Sequence, residues 1–278
     1  MQAKTILITG AGSGIGKDTA IGLAKRGHHV IASDVTRQRL SKLEAEATSL
    51  GLELEYIGLD ITKQENVDES ASKYAVDVLI NNAGSGETGP IAEVPLERVK
   101  RNFDINVFGT LRVIQAFTPG MIKRKSGRII IMGSMVGLTT PMFFSPYSST
   151  KAALESIAAS LRNELSYFNI PVIVINPGRI DGGHNALIAA TKYEWLKEGS
   201  PYYPLIEEMK RHDRVLIDNA YSIGPVVYSV QKAVEDIHPR IRYATPFKYR
   251  FGLVLIRLLP SRTMDWIFIK ANRLKFLK

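Results

Sequence analysis

Six short runs of β-branched and apolar residues recur through the first two-thirds of the chain, at 5–9, 30–33, 54–59, 76–81, 128–133 and 172–176. Helix-like stretches separate them near 15–26, 36–50, 64–74, 96–118 and 147–168. The runs are predominantly apolar instead of alternating, as expected of strands when both faces of their sheet are covered. A strand–helix–strand order of this kind implies an α/β fold: a doubly wound parallel sheet of the Rossmann type.

With 278 residues, 45% apolar and 23% charged, the chain can bury a large core in one globular domain. It has no cysteine, which excludes disulfides, thiolate catalysis and cysteine-ligated zinc and fits a reducing cytoplasm. The five histidines show no metal-ligand spacing, so no metal is expected. The first strand-like run starts too near the N-terminus for a signal peptide to precede it, and no apolar stretch is long enough to span a bilayer. A cytoplasmic location is therefore expected.

The net charge of +9 sits at one end. Residues 240–278 carry ten Lys/Arg and one acid, Asp265, so 10 − 1 = +9, while residues 1–239 hold 26 of each sign. The basicity belongs to the tail and does not point to nucleic acid. The expected organisation is a dinucleotide-binding domain over 1–247 and a basic, amphipathic, helical C-terminal extension over 248–278. Its basic residues beside Trp266, Phe268 and Leu274 suit either peripheral contact with an anionic membrane or packing against protein. Past Pro177-Gly178 the strand pattern stops, and residues 179–220 read as an irregular substrate lid with scattered aromatics.

Chemistry is concentrated at a few points. Gly10, Gly12, Ser13, Gly14, Ile15 and Gly16 follow the first strand and open the first helix, where a tight turn and free helix N–H groups suit a pyrophosphate. Asp34 ends the second strand at the spacing of a carboxylate that binds ribose hydroxyls; it favours NAD, with NADP as the alternative through Arg37 and Arg39. Tyr147 and Lys151 lie four residues apart, one turn of helix, and an ammonium beside a phenol is expected to lower the tyrosine pKa into the range of a working acid or base. Asp60 stands either as a ligand contact or as a helix N-cap.

Together, Thr9-Gly-x-x-x-Gly14-x-Gly16, Asp60, Asn81-Asn82-Ala83-Gly84, Asn106, Ser134, Tyr147-x-x-x-Lys151 and Pro177-Gly178 resemble the short-chain dehydrogenase/reductase family in order and spacing, densely over residues 4–180. The resemblance implies that Tyr147 is the general acid/base, that Lys151 lowers its pKa and binds the nicotinamide ribose, that Ser134 holds the reacting oxygen, and that Asn106 binds a water linking Lys151 to solvent. It further implies that Asp60 and Ile61 contact adenine, that Asn82, Ala83 and Gly84 pass close to the cofactor, and that Pro177, Gly178 and Ile180 approach the nicotinamide carboxamide. Gly182 stands where the family often has a threonine, and His184 beside it is read as a solvated loop residue.

The expected activity is NAD(P)-dependent hydride transfer between nicotinamide and a secondary alcohol or ketone. Leu138, Met142, Phe143 and the lid aromatics point to a hydrophobic substrate, and the tail loosely resembles bacterial relatives of steroid and retinol dehydrogenases. The alternatives are an NAD-retaining epimerase or dehydratase and a non-enzymatic dinucleotide sensor. A homodimer or homotetramer is the expected assembly.

Overall fold

The computed structural model describes residues 2–181, 188, 190–246, 259, 260, 262–264, 266 and 267. Seven strands, β1 (Thr5–Thr9), β2 (His29–Asp34), β3 (Glu55–Gly58), β4 (Val78–Asn81), β5 (Arg128–Met132), β6 (Val172–Pro177) and β7 (Arg242–Thr245), form one sheet in the order β3-β2-β1-β4-β5-β6-β7. Every pairing is parallel. The expected doubly wound sheet is therefore present, and the six strands expected from the opening alternation sit within two residues of their anticipated ends.

The central strands bury both faces, and their period-2 geometry divides the core in two. Ile6, Ile8, Val30, Ile80, Ile130 and Ile173 face one layer, which contains α1 (Gly14–Ala24) and α8 (Gly224–Glu235). Leu7, Ile31, Leu79, Ile129, Ile131 and Val174 face the other, where α5 (Thr110–Arg124) and α6 (Ser145–Ser166) pack. The remaining crossovers are α2 (Arg37–Ser49), α3 (Gln64–Lys73) and α4 (Leu96–Phe103). The strand order reverses between β1 and β4, so the loops after these two strands diverge and leave a crevice at the carboxyl edge of the sheet.

Two expectations change. The helix expected over 96–118 is α4, a π-helical turn at Asp104–Gly109, and α5. A wider turn of this type accommodates one extra residue and tends to occur at functional positions. The lid region is less irregular than its composition implied: 3-10 turns at Lys192–Glu194 and Tyr203–Leu205 lead into α7 (Ile206–Asp218). The buried side of α7 includes Met209 and Asp213, so a charge stands where helical periodicity would show an apolar residue. That carboxylate is held by Lys192, only 1% exposed, whose Nζ lies 2.8 Å from Oδ1. The pair is invisible to a local reading. Met209 joins Phe143 and Leu196 in a third, smaller cluster that seats the lid on the segment just before α6.

Gly182, His184 and most of the 248–278 extension lie outside the described residues. Among the described residues no helix is long and apolar enough to cross a membrane, and no group of histidines and carboxylates could hold a metal.

Candidate active site

The glycine loop closes on β4's end through close backbone approach. Gly10 has φ +65°, and a Cβ there would lie 2.7 Å from Ala83 Cα. A Cβ on Gly16 would overlap the Gly10 carbonyl oxygen. The two loops are also stitched by hydrogen bonds. Thr9 Oγ1 accepts from the backbone N–H groups of Asn82 and Ala83, each at 3.0 Å, and Asn82 Nδ2 donates to the carbonyls of Thr9 (3.0 Å) and Gly10 (2.9 Å). Thr9 therefore organises the crevice as much as the glycines do.

The N-terminus of α1 opens into this crevice without a side-chain cap on Ser13 and with no acid in its first turn. Its unpaired N–H groups and the positive end of its dipole suit a phosphate anion. Asp34 is buried at the end of β2, where Oδ2 accepts from Gly12 N–H at 3.2 Å and Oδ1 from Thr36 N–H at 2.8 Å. Arg39 Nη1 stays 3.9 Å from that carboxylate. Anion donors at one end and a fixed carboxylate acceptor at the other match a dinucleotide's pyrophosphate and its ribose diol, so the residues fit a nicotinamide dinucleotide.

Asp60 closes its own turn by accepting from Thr62 N–H (2.9 Å) and Thr62 Oγ1 (2.7 Å). It does not cap α3, which starts at Gln64 after Lys63. Ile61 is buried in the second core layer, and Ile15 packs against the first. At the end of β6, Gly178 N–H donates to Thr245 at 2.8 Å, and Ile180 pairs with Tyr221 in a parallel bridge.

Helix α6 brings Tyr147 and Lys151 to the end of β5. Lys151 is 5% exposed; its Nζ donates to the Met132 carbonyl at 2.8 Å and lies 5.7 Å from the centroid of the Tyr147 ring. Ser134 follows β5 in extended conformation, and its hydroxyl accepts from Val136 N–H at 3.4 Å while lying against the Tyr147 phenol. The expected direction of the tyrosine shift is reversed. Burial pushes the Tyr147 phenol up to about 12, with the Ser134 hydrogen bond pulling the other way. Burial lowers Lys151 to about 8. A sequence shows the ammonium next to the phenol, but desolvation depends on what covers both groups, and here it dominates.

Asn106 sits buried on the π-helical turn, and its side-chain amide is fully engaged by hydrogen bonds. Oδ1 accepts from Ser85 N–H (2.8 Å), while Nδ2 reaches the Ser85 carbonyl (2.8 Å), Asn102 Oδ1 (3.1 Å) and Thr150 Oγ1 (3.0 Å). The amide thus pins the loop after Gly84 to α6, one residue from Lys151. Ser85, Asn102 and Thr150 escaped the sequence reading because short polar residues in loops and helices carry no distinguishing local signal.

Phe143 adopts φ +67°, a strained conformation for an aromatic residue, and its carbonyl accepts from Gly89 N–H at 2.6 Å. Its ring meets Tyr202 edge-on at 5.2 Å between centroids. Phe143, Tyr193 and Tyr202 thus form the packed base of the lid, and Lys192 Nζ lies 5.5 Å from the Phe144 ring centroid.

A family model described as "short chain dehydrogenase" matches residues 4–192. Human "Retinol dehydrogenase 8" is 30% identical over 256 residues, covering 88% of this chain and 82% of that protein. A short-chain dehydrogenase from Streptomyces avermitilis superposes with a TM-score of 0.78 at 27% identity and 99% coverage of both chains. An NAD+-bound xylitol dehydrogenase gives 0.74 at 27% identity, covering 87% of this chain and 97% of that one.

Proposed function

The chain belongs to the short-chain dehydrogenase family, and from that premise we propose that it interconverts a hydrophobic alcohol and its carbonyl partner, with Tyr147 as general acid and base. The observation that carries this reading is the meeting of Tyr147, Lys151 and Ser134 at the carboxyl edge of β5, beside a crevice built for a dinucleotide.

When bound, a nicotinamide dinucleotide supplies the hydride acceptor or donor. The chain's own groups manage position and protons. The α1 N-terminus and glycine loop would hold the pyrophosphate, and Asp34 would accept from the ribose hydroxyls. Lys151 keeps two of its three N–H donors beyond the one given to Met132, which suits it to hold a ribose at the reacting end. Ser134 would fix the substrate oxygen against the Tyr147 hydroxyl. Held protonated by burial, that phenol is ready at neutral pH to donate a proton to a carbonyl oxygen; the reverse direction requires its phenolate and gains from higher pH.

NAD is the favoured cofactor. Asp34 is fixed by Gly12 and Thr36, and a buried carboxylate there repels a 2′-phosphate. A hydrophobic substrate is favoured by the apolar run Met142-Phe143-Phe144 ahead of Tyr147 and by the likeness to a protein named for retinol. Tyr147→Phe should abolish turnover while NADH binding, followed by fluorescence titration, stays within about threefold of wild type. Near-normal turnover in that variant would overturn the assignment. Titration with both cofactors, then a panel of lipid-like and polyol substrates, tests cofactor and substrate class; turnover restricted to polyols would refute the hydrophobic reading.

A further inference from the structure

The functional face of α6 does not end at Lys151. Glu155 is the next residue at the four-residue spacing, so Tyr147, Lys151 and Glu155 form one stripe along the helix. Each member reaches the end of β5. The Tyr147 phenol meets the Ser134 hydroxyl, and Lys151 Nζ donates to the Met132 carbonyl. Glu155 acts through an intermediary: Asn176 Nδ2 donates to Glu155 Oε1 at 2.6 Å and to the Ser134 carbonyl at 3.2 Å. Both neighbours are acceptors, so the amide orientation is settled by its surroundings.

The need for this link follows from where the sheet stops. The β5–β6 register ends at Met132 opposite Ile175, and the last backbone bond across it runs from Gly133 N–H to the Ile175 carbonyl at 2.8 Å. Ser134 lies one residue further, and the Asn176 side chain extends the ladder to it. The fit is tight: a Cβ on Gly133 would lie 2.7 Å from Asn176 Nδ2 and 3.3 Å from Glu155 Oε1. Asn176 is 0% and Glu155 9% exposed, and Glu155 is paired with Arg242 of β7 through Oε2. A buried ion pair is often no more stabilising than apolar residues of the same volume, so its presence beneath the reacting oxygen's site calls for another reason.

We infer that Glu155 is a positioning residue which, backed by Arg242 and acting through Asn176, holds Ser134 in register with Tyr147. The inference rests on the proposed oxidoreductase reading for its kinetic consequence but not for its geometric one.

Two double variants test it, each removing the Arg242 charge so that none is stranded. Glu155→Leu/Arg242→Met deletes the acceptor for Asn176; Glu155→Gln/Arg242→Met retains one. The leucine variant should show kcat lowered on the order of 10- to 100-fold, cofactor KM within about twofold of wild type, and Ser134 displaced from Tyr147 in its crystal structure. The glutamine variant should have a kcat at least about tenfold above it and Ser134 in place. If the leucine protein does not fold, Asn176→Ala, which keeps the Glu155–Arg242 pair, carries the same expectation. Equal kcat and an unmoved Ser134 in the folded leucine variant would overturn the inference and assign the pair to stability alone. A wild type that turns over no alcohol or carbonyl substrate would instead refute the proposed function, and the position of Ser134 in the variants would still decide this one.

Discussion

Burial of Lys151 has a consequence for stability that does not depend on any substrate. In the unfolded chain its ammonium titrates near the ordinary 10.5; in the folded protein desolvation lowers it to about 8. Between those values the unfolded state binds more protons than the folded state, so stability rises with pH across that window. Below pH 8 both states are protonated and the folded protein carries the full penalty of a buried charge. At about 1.4 kcal/mol per pH unit, the interval between 10.5 and about 8 corresponds to about 3 kcal/mol. Lys151→Met removes the titration while keeping most of the volume. Other groups titrate in both proteins and largely cancel in the difference. Urea unfolding of wild type and variant, followed by far-UV circular dichroism at half-unit steps from pH 7 to 10.5, should show the wild type gaining about 3 kcal/mol on the variant, with the rise beginning near pH 8. A difference that stays flat would mean that Lys151 is effectively solvated. A difference that falls with pH would mean that its charge stabilises the fold, and either result would refute the reasoning.

Other perturbations follow from the same packing. Gly16→Ala places a methyl against the Gly10 carbonyl and Asn82 Nδ2, so NADH affinity measured by fluorescence titration should fall by about tenfold or more as the loop is displaced. Thr9→Val strips the acceptor from the part-buried Asn82 and Ala83 N–H groups, and thermal unfolding should register a loss of about 1–3 kcal/mol. Asp213→Asn leaves the Lys192 ammonium buried opposite a neutral amide; calorimetry should show a loss of about 3–5 kcal/mol, with Lys192→Met/Asp213→Leu recovering most of it.

The order of elements was legible because a parallel sheet buries both faces of its central strands, and that burial writes largely apolar runs into the chain. The cofactor crevice was legible for a related reason: Gly10 and Gly16 are dictated by close backbone contact, which only one residue type permits. Tyr147 and Lys151 were legible from helical spacing. Helix α7 was not, because its inner face carries Asp213, a residue that makes sense only beside Lys192, 21 positions earlier. Thr150 and Asn176 were missed in the same way, as polar residues whose partners are supplied by other elements.

What the chain alone determined, then, is which chemical groups are present and the succession of strands and helices that carries them to one edge of a parallel sheet. What tertiary structure decided is the electrostatic state of those groups. The ammonium next to Tyr147 is apparent from a four-residue spacing, and it argues for an acidic phenol. What buries Lys151 and partly buries Tyr147 comes from other segments of the chain, and desolvation raises the tyrosine to about 12 and lowers the lysine to about 8. Proximity is encoded locally, whereas the dielectric around a charge is a property of everything folded over it.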